Sequence, residues 1–336
     1  MNARLTNTSL KLSGIFILLV VMVFLIYLSV IYGVINTNWH HAIEAYTQFN
    51  ETNEHITIRE VRVPRALVAT VVGANLGVAG ALLQALTKNP VADTGIMGIN
   101  HGASLFIVFA LTFFSVNSIM GFTWIAFLGA ALSGLAVYGL GSLGRGGMTP
   151  IKLTLAGAAL SALASSYTHG MLVINEKSLD EVLFWLSGSV AGRSIDMLLA
   201  VMPFVLLGWV GSLLIAGQVN TLLLGEDVAR GLGQRTVIVK LATGLIIIIL
   251  AGSSVGVAGP IAFVGLITPH LARYLVGSDF RWVILYSALL GSVFLLGADI
   301  AARFIAMPRE LPIGVVTAFL GAPFFIYVAR KGELRA

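Results

Sequence analysis

The sequence predicts an all-α polytopic membrane protein with about ten transmembrane helices. Three observations lead there. Hydrophobic residues make up 57% of the 336 residues, charged residues only 10%, and mean hydropathy is +0.94. A soluble domain carries about 25% charged residues, so this chain lacks the polar surface that water demands. The apolar residues also fall in long runs, each approaching the ~20 residues that cross a bilayer, without the alternation of a membrane barrel. Finally, threading the runs alternately across a bilayer places 13 of the 20 basic residues on one side, the bias that marks the cytoplasmic face.

Arg4 and Lys11 precede the first apolar run, 12–34. It exceeds the ~7–15 residues of a signal-peptide core, and no small-residue cleavage site follows it, so it reads as a transmembrane helix. Further spans are expected at 66–87, 98–115, 119–142, 152–174, 197–216, 238–258, 260–276, 282–300 and 312–329. The third and eighth are short or interrupted by Gly and Pro. Ten spans put both termini in the cytoplasm. The whole chain, 1–336, then forms one transmembrane domain.

Between the spans lie polar segments. Two, 36–64 and 175–196, are expected outside. The second contains Leu-Asp-Glu-Val-Leu-Phe-Trp-Leu, with the spacing of a short interfacial helix. The longest cytoplasmic connection is 217–240. Glycine is abundant, at 37 residues, and in lipid small residues let helices approach closely. Gly73, Gly77 and Ala81 form such a stripe. Pro90, Pro260 and Pro269 are candidate helix breaks lining a path.

Some functions are excluded or weakened by composition. With no Cys there is neither a disulfide framework nor a thiolate metal site. The formal charge of +5 is better explained by cytoplasmic loops than by nucleic acid. The absence of G-x-x-x-x-G-K-[ST] leaves no P-loop for ATP phosphates.

Residues 222–233, Leu-Leu-Leu-Gly-Glu-Asp-Val-Ala-Arg-Gly-Leu-Gly, read as a short helix between two spans. Glu226 and Asp227 suit its N-terminus, and Gly231 or Gly233 can close it. It is either a solvated connector or a docking helix for a cytoplasmic partner. Here the chain resembles the FecCD-type permeases, importers of ferric siderophores, haem and cobalamin. Other segments carry the same resemblance in the same order: Arg-Val-Pro-Arg (62–65), Gly-Ala-Asn-Leu-Gly-Val-Ala-Gly-Ala-Leu-Leu-Gln (73–84), Lys-Asn-Pro-Val-Ala-Asp-Thr-Gly-Ile-Met-Gly-Ile (88–99), Gly-Pro-Ile-Ala-Phe-Val-Gly-Leu-Ile-Thr-Pro-His-Leu-Ala-Arg (259–273) and Glu-Leu-Pro-Ile-Gly-Val-Val-Thr-Ala-Phe-Leu-Gly-Ala-Pro-Phe-Phe (310–325).

The resemblance implies a type II ABC importer permease fold, with cargo of the iron–siderophore type or, alternatively, haem or cobalamin. It implies a second permease subunit, identical or related, two cytoplasmic ABC ATPase subunits that consume the ATP, and an extracytoplasmic substrate-binding protein. The permease itself is then no enzyme and holds no cofactor or metal. Arg62, Arg65 and Arg303 would dock acidic residues of the binding protein. Their alternative is local pairing, such as Asp299 with Arg303 at i,i+4 spacing. Gly225, Glu226, Asp227, Ala229, Leu232 and Gly233 would form the surface coupled to the ATPase. Asn89 and Val91 match the position of a cytoplasmic gate, with a capped loop as the alternative reading of Asn89.

Two signals are weaker. Gly252-Ser253-Ser254-Val255-Gly256 fits G-x-S-x-G, and His169 or His270 could complete a remote alternative, an intramembrane serine hydrolase. That motif needs a strand-to-helix turn. His40-His41 lacks a third metal ligand.

Overall fold

In a computed structural model of the chain, residues 4–33, 37–114, 118–144, 148–174, 179–306 and 310–330 are described. The described residues form helices and no strand. In chain order these are α1 (Thr8–Ile31), α2 (Trp39–Thr47), α3 (Asn53–Ile56), a π-helical turn (Thr57–Arg62) running into α4 (Val63–Thr87), a 3₁₀ turn (Thr94–Met97), α5 (Ile99–Phe113), α6 (Ile119–Ser142) and α7 (Pro150–Ile174). Then follow α8 (Leu179–Leu186), α9 (Ile195–Leu223), α10 (Glu226–Gly231), α11 (Thr236–Ala258), α12 (Val264–Val276), α13 (Phe280–Ile305) and α14 (Ile313–Arg330).

Six helical stretches are long and apolar enough to cross a membrane: α1, the continuous helix ending in α4, α6, α9, α11 and α13. α5 and α14 are shorter apolar helices. Ten is therefore an approximate count of the spans. The polar segment 36–64, described from residue 37, holds α2, α3 and the π-helical turn; 175–196, described from 179, holds α8. The connection expected over 217–240 is mostly helix, because α9 continues to Leu223 and α11 starts at Thr236.

α4 is the axis of the bundle. Of its most apolar window 83% is buried inside the protein, against 11% for α1, which lies on the outside. The small-residue stripe explains the contrast. Gly73 packs against the Gly291 carbonyl and Gly77 against the Ser287 carbonyl of α13, while Gly80 meets the Gly265 carbonyl of α12; a Cβ at any of the three would collide with backbone. Close backbone approach of this kind gives dispersion contacts where no hydrophobic effect separates helix from lipid.

The eighth expected span, 260–276, is corrected. The helix starts only at Val264, and Gly259 and Phe263 hold φ of +72° and +70°. Pro260, in the break, has no N–H to continue a helix. Pro90 also lies outside helix. Pro269, by contrast, does not break α12. The carbonyl it deprives of a helical donor, Gly265 O, accepts instead from Gln84 Nε2 at 3.3 Å. Polar groups from a neighbouring helix thus make the proline tolerable at membrane depth.

Candidate functional site

Three polar regions interrupt the apolar bundle: one at each end and one in the middle.

At the end opposite α10, the C-terminus of α1, the N-terminus of α4 and the C-terminus of α13 converge. Arg62, Arg65 and Arg303, expected as an exposed docking set, are all buried, with exposures of 4%, 5% and 2%. Arg65 straddles two carboxylates, pairing Asp299 at 2.8 Å and Glu310 at 2.5 Å. Arg303 pairs the other oxygen of Asp299, the local i,i+4 pairing anticipated as the alternative. It also donates to Ser29 O at 2.6 Å and Tyr32 O at 2.9 Å, and Arg62 donates to Val30 O at 3.1 Å. The last carbonyls of a helix lack intrahelical donors, and cations favour that end of its dipole. The two arginines thus close the C-terminus of α1, which explains burial that motif reading missed.

In the middle, a cavity of about 610 Å³ opens on one side of the bundle. The start of α5 contributes Asn100, His101 and Ser104, α7 contributes Ser165, Thr168 and His169, and the α11–α12 break contributes Pro260 and Ala262. Gly314, Val315 and Ala318 of α14 complete a wall. Asn100 Oδ1 and His101 Nδ1 are buried and have no hydrogen-bond partner among the described residues. Unsatisfied polar atoms in an apolar bundle cost free energy unless something reaches them, so this surface suits a polar occupant or water. Of these residues, the sequence had singled out Pro260 as a path-lining break and His169 only for the hydrolase alternative. The usable signal was a polar, histidine-bearing face recurring at helical spacing, 101 with 104 and 165 with 168 and 169.

The break beside the cavity is braced from the end of α4 and the loop that follows it. Asp93 Oδ2 accepts from Phe263 N at 3.3 Å at the start of α12, and His270 Nε2 donates to Pro90 O at 2.8 Å. Gln84 also accepts from Arg273. Asn89 and Val91 lie half-buried at the α10 end of this assembly. Asn89 Oδ1 accepts from Val91 N at 3.0 Å, the geometry of a capped turn.

Ser253 and Ser254 sit inside α11, buried, and bond back to Ile249 O at 2.7 Å and Leu250 O at 2.8 Å. No strand-to-helix elbow exists there, so the hydrolase alternative fails on geometry.

At the other end, α10 lies between α9 and α11. Gly233, with φ of +81°, closes it while Gly231 remains helical. Glu226 takes 2.7 Å hydrogen bonds from both Arg230 and Lys240, tying α10 to α11. The Lys240 hydrogen bond, followed by the charges of Lys240 and Arg230, outweighs burial and holds the Glu226 carboxyl below its ordinary pKa. Ala229, expected on the coupling surface, is fully buried and packs inward; its lack of bulk lets α10 sit against its own bundle. Asp227 and Gly233 are exposed, and Leu224, Val228 and Leu232 are 65%, 50% and 68% exposed. These three apolar side chains, four residues apart, form a stripe that the sequence reading only partly named.

The depressed Glu226 pKa sets a pH dependence. The carboxylate's contribution is present above its unfolded pKa of about 4.3 and is lost as pH falls through the lower folded value. The chain has no Cys, so a spin label on D227C reports α10 alone. Its mobility is expected to be constant from neutral pH down to about 4.3 and to rise below that. In E226Q it is expected to be high throughout; an unchanged E226Q signal refutes the tether.

The FecCD transport family model matches residues 19–331. The chain belongs to the FecCD transport family. A probable siderophore transport system permease, YfiZ of Bacillus subtilis, is 52% identical over 326 residues, covering 96% of this chain and 98% of that one. The ferric enterobactin permease FepD of Escherichia coli K12 is 38% identical over 314 residues, 94% of each. A solved structure described as an inward-facing conformation of a metal-chelate type ABC transporter superposes with TM-score 0.83 at 29% identity, covering 95% of this chain and 99% of that one. Members of this family are multi-pass transporter permeases that work with ATPase subunits, a binding protein and a second permease.

Proposed function

We propose that the chain is the permease subunit of a binding-protein-dependent ABC importer that carries a ferric siderophore into the cytoplasm. The observation that carries this reading is the one-sided polar cavity, whose lining includes two histidines, hydroxyls and an amide on α5 and α7. A chelate rich in oxygen donors can exchange hydrogen bonds with such a lining without being bound tightly enough to stall. A second permease, identical or related, closes the open side and completes the path. The α10 end faces the cytoplasm, as do both termini. There Leu224, Val228 and Leu232 seat in an ATPase groove flanked by Asp227 and Gly233, and Gly225 frees the chain entering α10. Asn89 and Val91 narrow the path at that end. At the outer end Arg62, Arg65 and Arg303 shape the face on which the binding protein docks, their role being to hold α1, α4 and α13 together rather than to offer free charges.

The test is uptake of an iron-loaded siderophore by vesicles holding the complete transporter. Uptake is expected to require ATP and the partner ATPase. S165W, which fills the cavity, is expected to lower uptake at least about tenfold, equivalent to about 1.4 kcal/mol, while ATPase subunits still copurify. Uptake that continues without the ATPase, or an S165W transporter with normal uptake, contradicts the reading.

A further inference from the structure

We infer that the chain carries a binding site for one anionic phospholipid in the leaflet on the α10 side. A second cavity, about 300 Å³, lies between α1, α4, α9 and α13. It is lined by apolar side chains such as Met22, Val78 and Ile284, and its hydroxyls are already spent within the protein: Thr70 on Ala66 O, Ser212 on Trp209 O and Ser292 on Thr70 O. It opens toward lipid at Leu213 and Leu285, 47% and 37% exposed. From Ile284 to Ser292 it runs about 12 Å along α13, a groove for a stretch of acyl tail.

The helical stripes that build this groove end in positive charge on the α10 side. Leu285 is followed one turn lower by Arg281, whose guanidinium lies beside Gly217, itself one turn below Leu213. Met22, on α1, shares its face with Lys11 three turns lower, and the Lys11 ammonium sits 5.4 Å from the Trp282 ring centre. Neither cation has a salt bridge among the described residues. Asp279 is close by, its Oδ1 accepting from Asn220 Nδ2 at 2.7 Å and from Arg281 N at 3.1 Å, and it forms an ion pair with neither cation among the described residues. An apolar groove with a Trp and two cations at its mouth, neither paired with a carboxylate among the described residues, matches a tail with a phosphate headgroup, and each basic residue near a membrane surface attracts anionic lipid by about a factor of five.

The experiment is native mass spectrometry of the complete transporter after exchange into equal phosphatidylglycerol and phosphatidylcholine. Wild type is expected to retain phosphatidylglycerol at least about tenfold over phosphatidylcholine. K11Q/R281Q is expected to lose that preference, and A288W, which fills the groove, to lose the retained lipid of both kinds. Soluble glycerol phosphate is expected not to displace it. Equal retention of the two lipids by wild type, an unchanged preference in K11Q/R281Q, or displacement by glycerol phosphate overturns the site. The wild-type comparison stands even where A288W misfolds.

Discussion

Asp299→Ala is expected to destabilise the protein by about 3–5 kcal/mol, measured by unfolding of the purified chain in detergent. Asp299 is fully buried and its two oxygens pair with two buried arginines. Were this an exposed ion pair, its removal would cost about 0–1 kcal/mol. Buried, the same deletion strands both guanidiniums in a region that hydrates them poorly, and Glu310 neutralises only one of them. Apolar replacement of the arginines does not rescue the variant, because Arg303 also satisfies the last carbonyls of α1 at Ser29 and Tyr32. A loss within about 1 kcal/mol would show that water reaches this network. The same experiment bears on docking: if the arginines act by shaping the outer face, D299A weakens binding-protein capture in step with its loss of stability.

Gly80→Leu is expected to abolish uptake and cost about 3 kcal/mol or more, at the upper end of overpacking losses. The position faces the Gly265 carbonyl, and rigid backbone cannot yield as a side chain would. Pushing α12 away from α4 withdraws Gln84 from Gly265 O and Leu266 O and Asp93 from Phe263 N. The α11–α12 break, which forms one wall of the polar cavity, then loses its brace. By comparison Gly297 has open space around it, and G297A is expected to leave stability and uptake near wild type. Normal uptake by G80L would place the path elsewhere.

Much of the architecture was legible because lipid simplifies the code. A spanning helix must satisfy its own backbone and be apolar over a set length, so α1, α6, α11 and α13 could be read from hydropathy. The α10 helix was legible through its acidic start and glycine end. Other features were opaque for a shared reason. Buried Arg65 and exposed Arg59 look alike in sequence, and only the arrival of Asp299 and Glu310 from far along the chain distinguishes them. Ala229 was assigned to a partner surface, though its small side chain serves contact with its own bundle. Apart from Pro260, the cavity lining was not legible as a site, because a serine or histidine in a helix declares no facing until the neighbouring helices are placed.

The sequence by itself determined that this protein lives in a bilayer as a helical bundle, and its motifs placed it in its family. Local composition suffices for both, since transfer into lipid is summed residue by residue. The tertiary structure alone decided which polar groups hold the bundle and which line the open cavity. Pairing, burial and cavity shape depend on residues hundreds of positions apart, as Arg65 with Glu310 and Gln84 with Leu266 attest. The feature most open to function, the Asn100 oxygen and the His101 Nδ1 beside a polar cavity, is defined by the lack of a hydrogen-bond partner for either among the described residues.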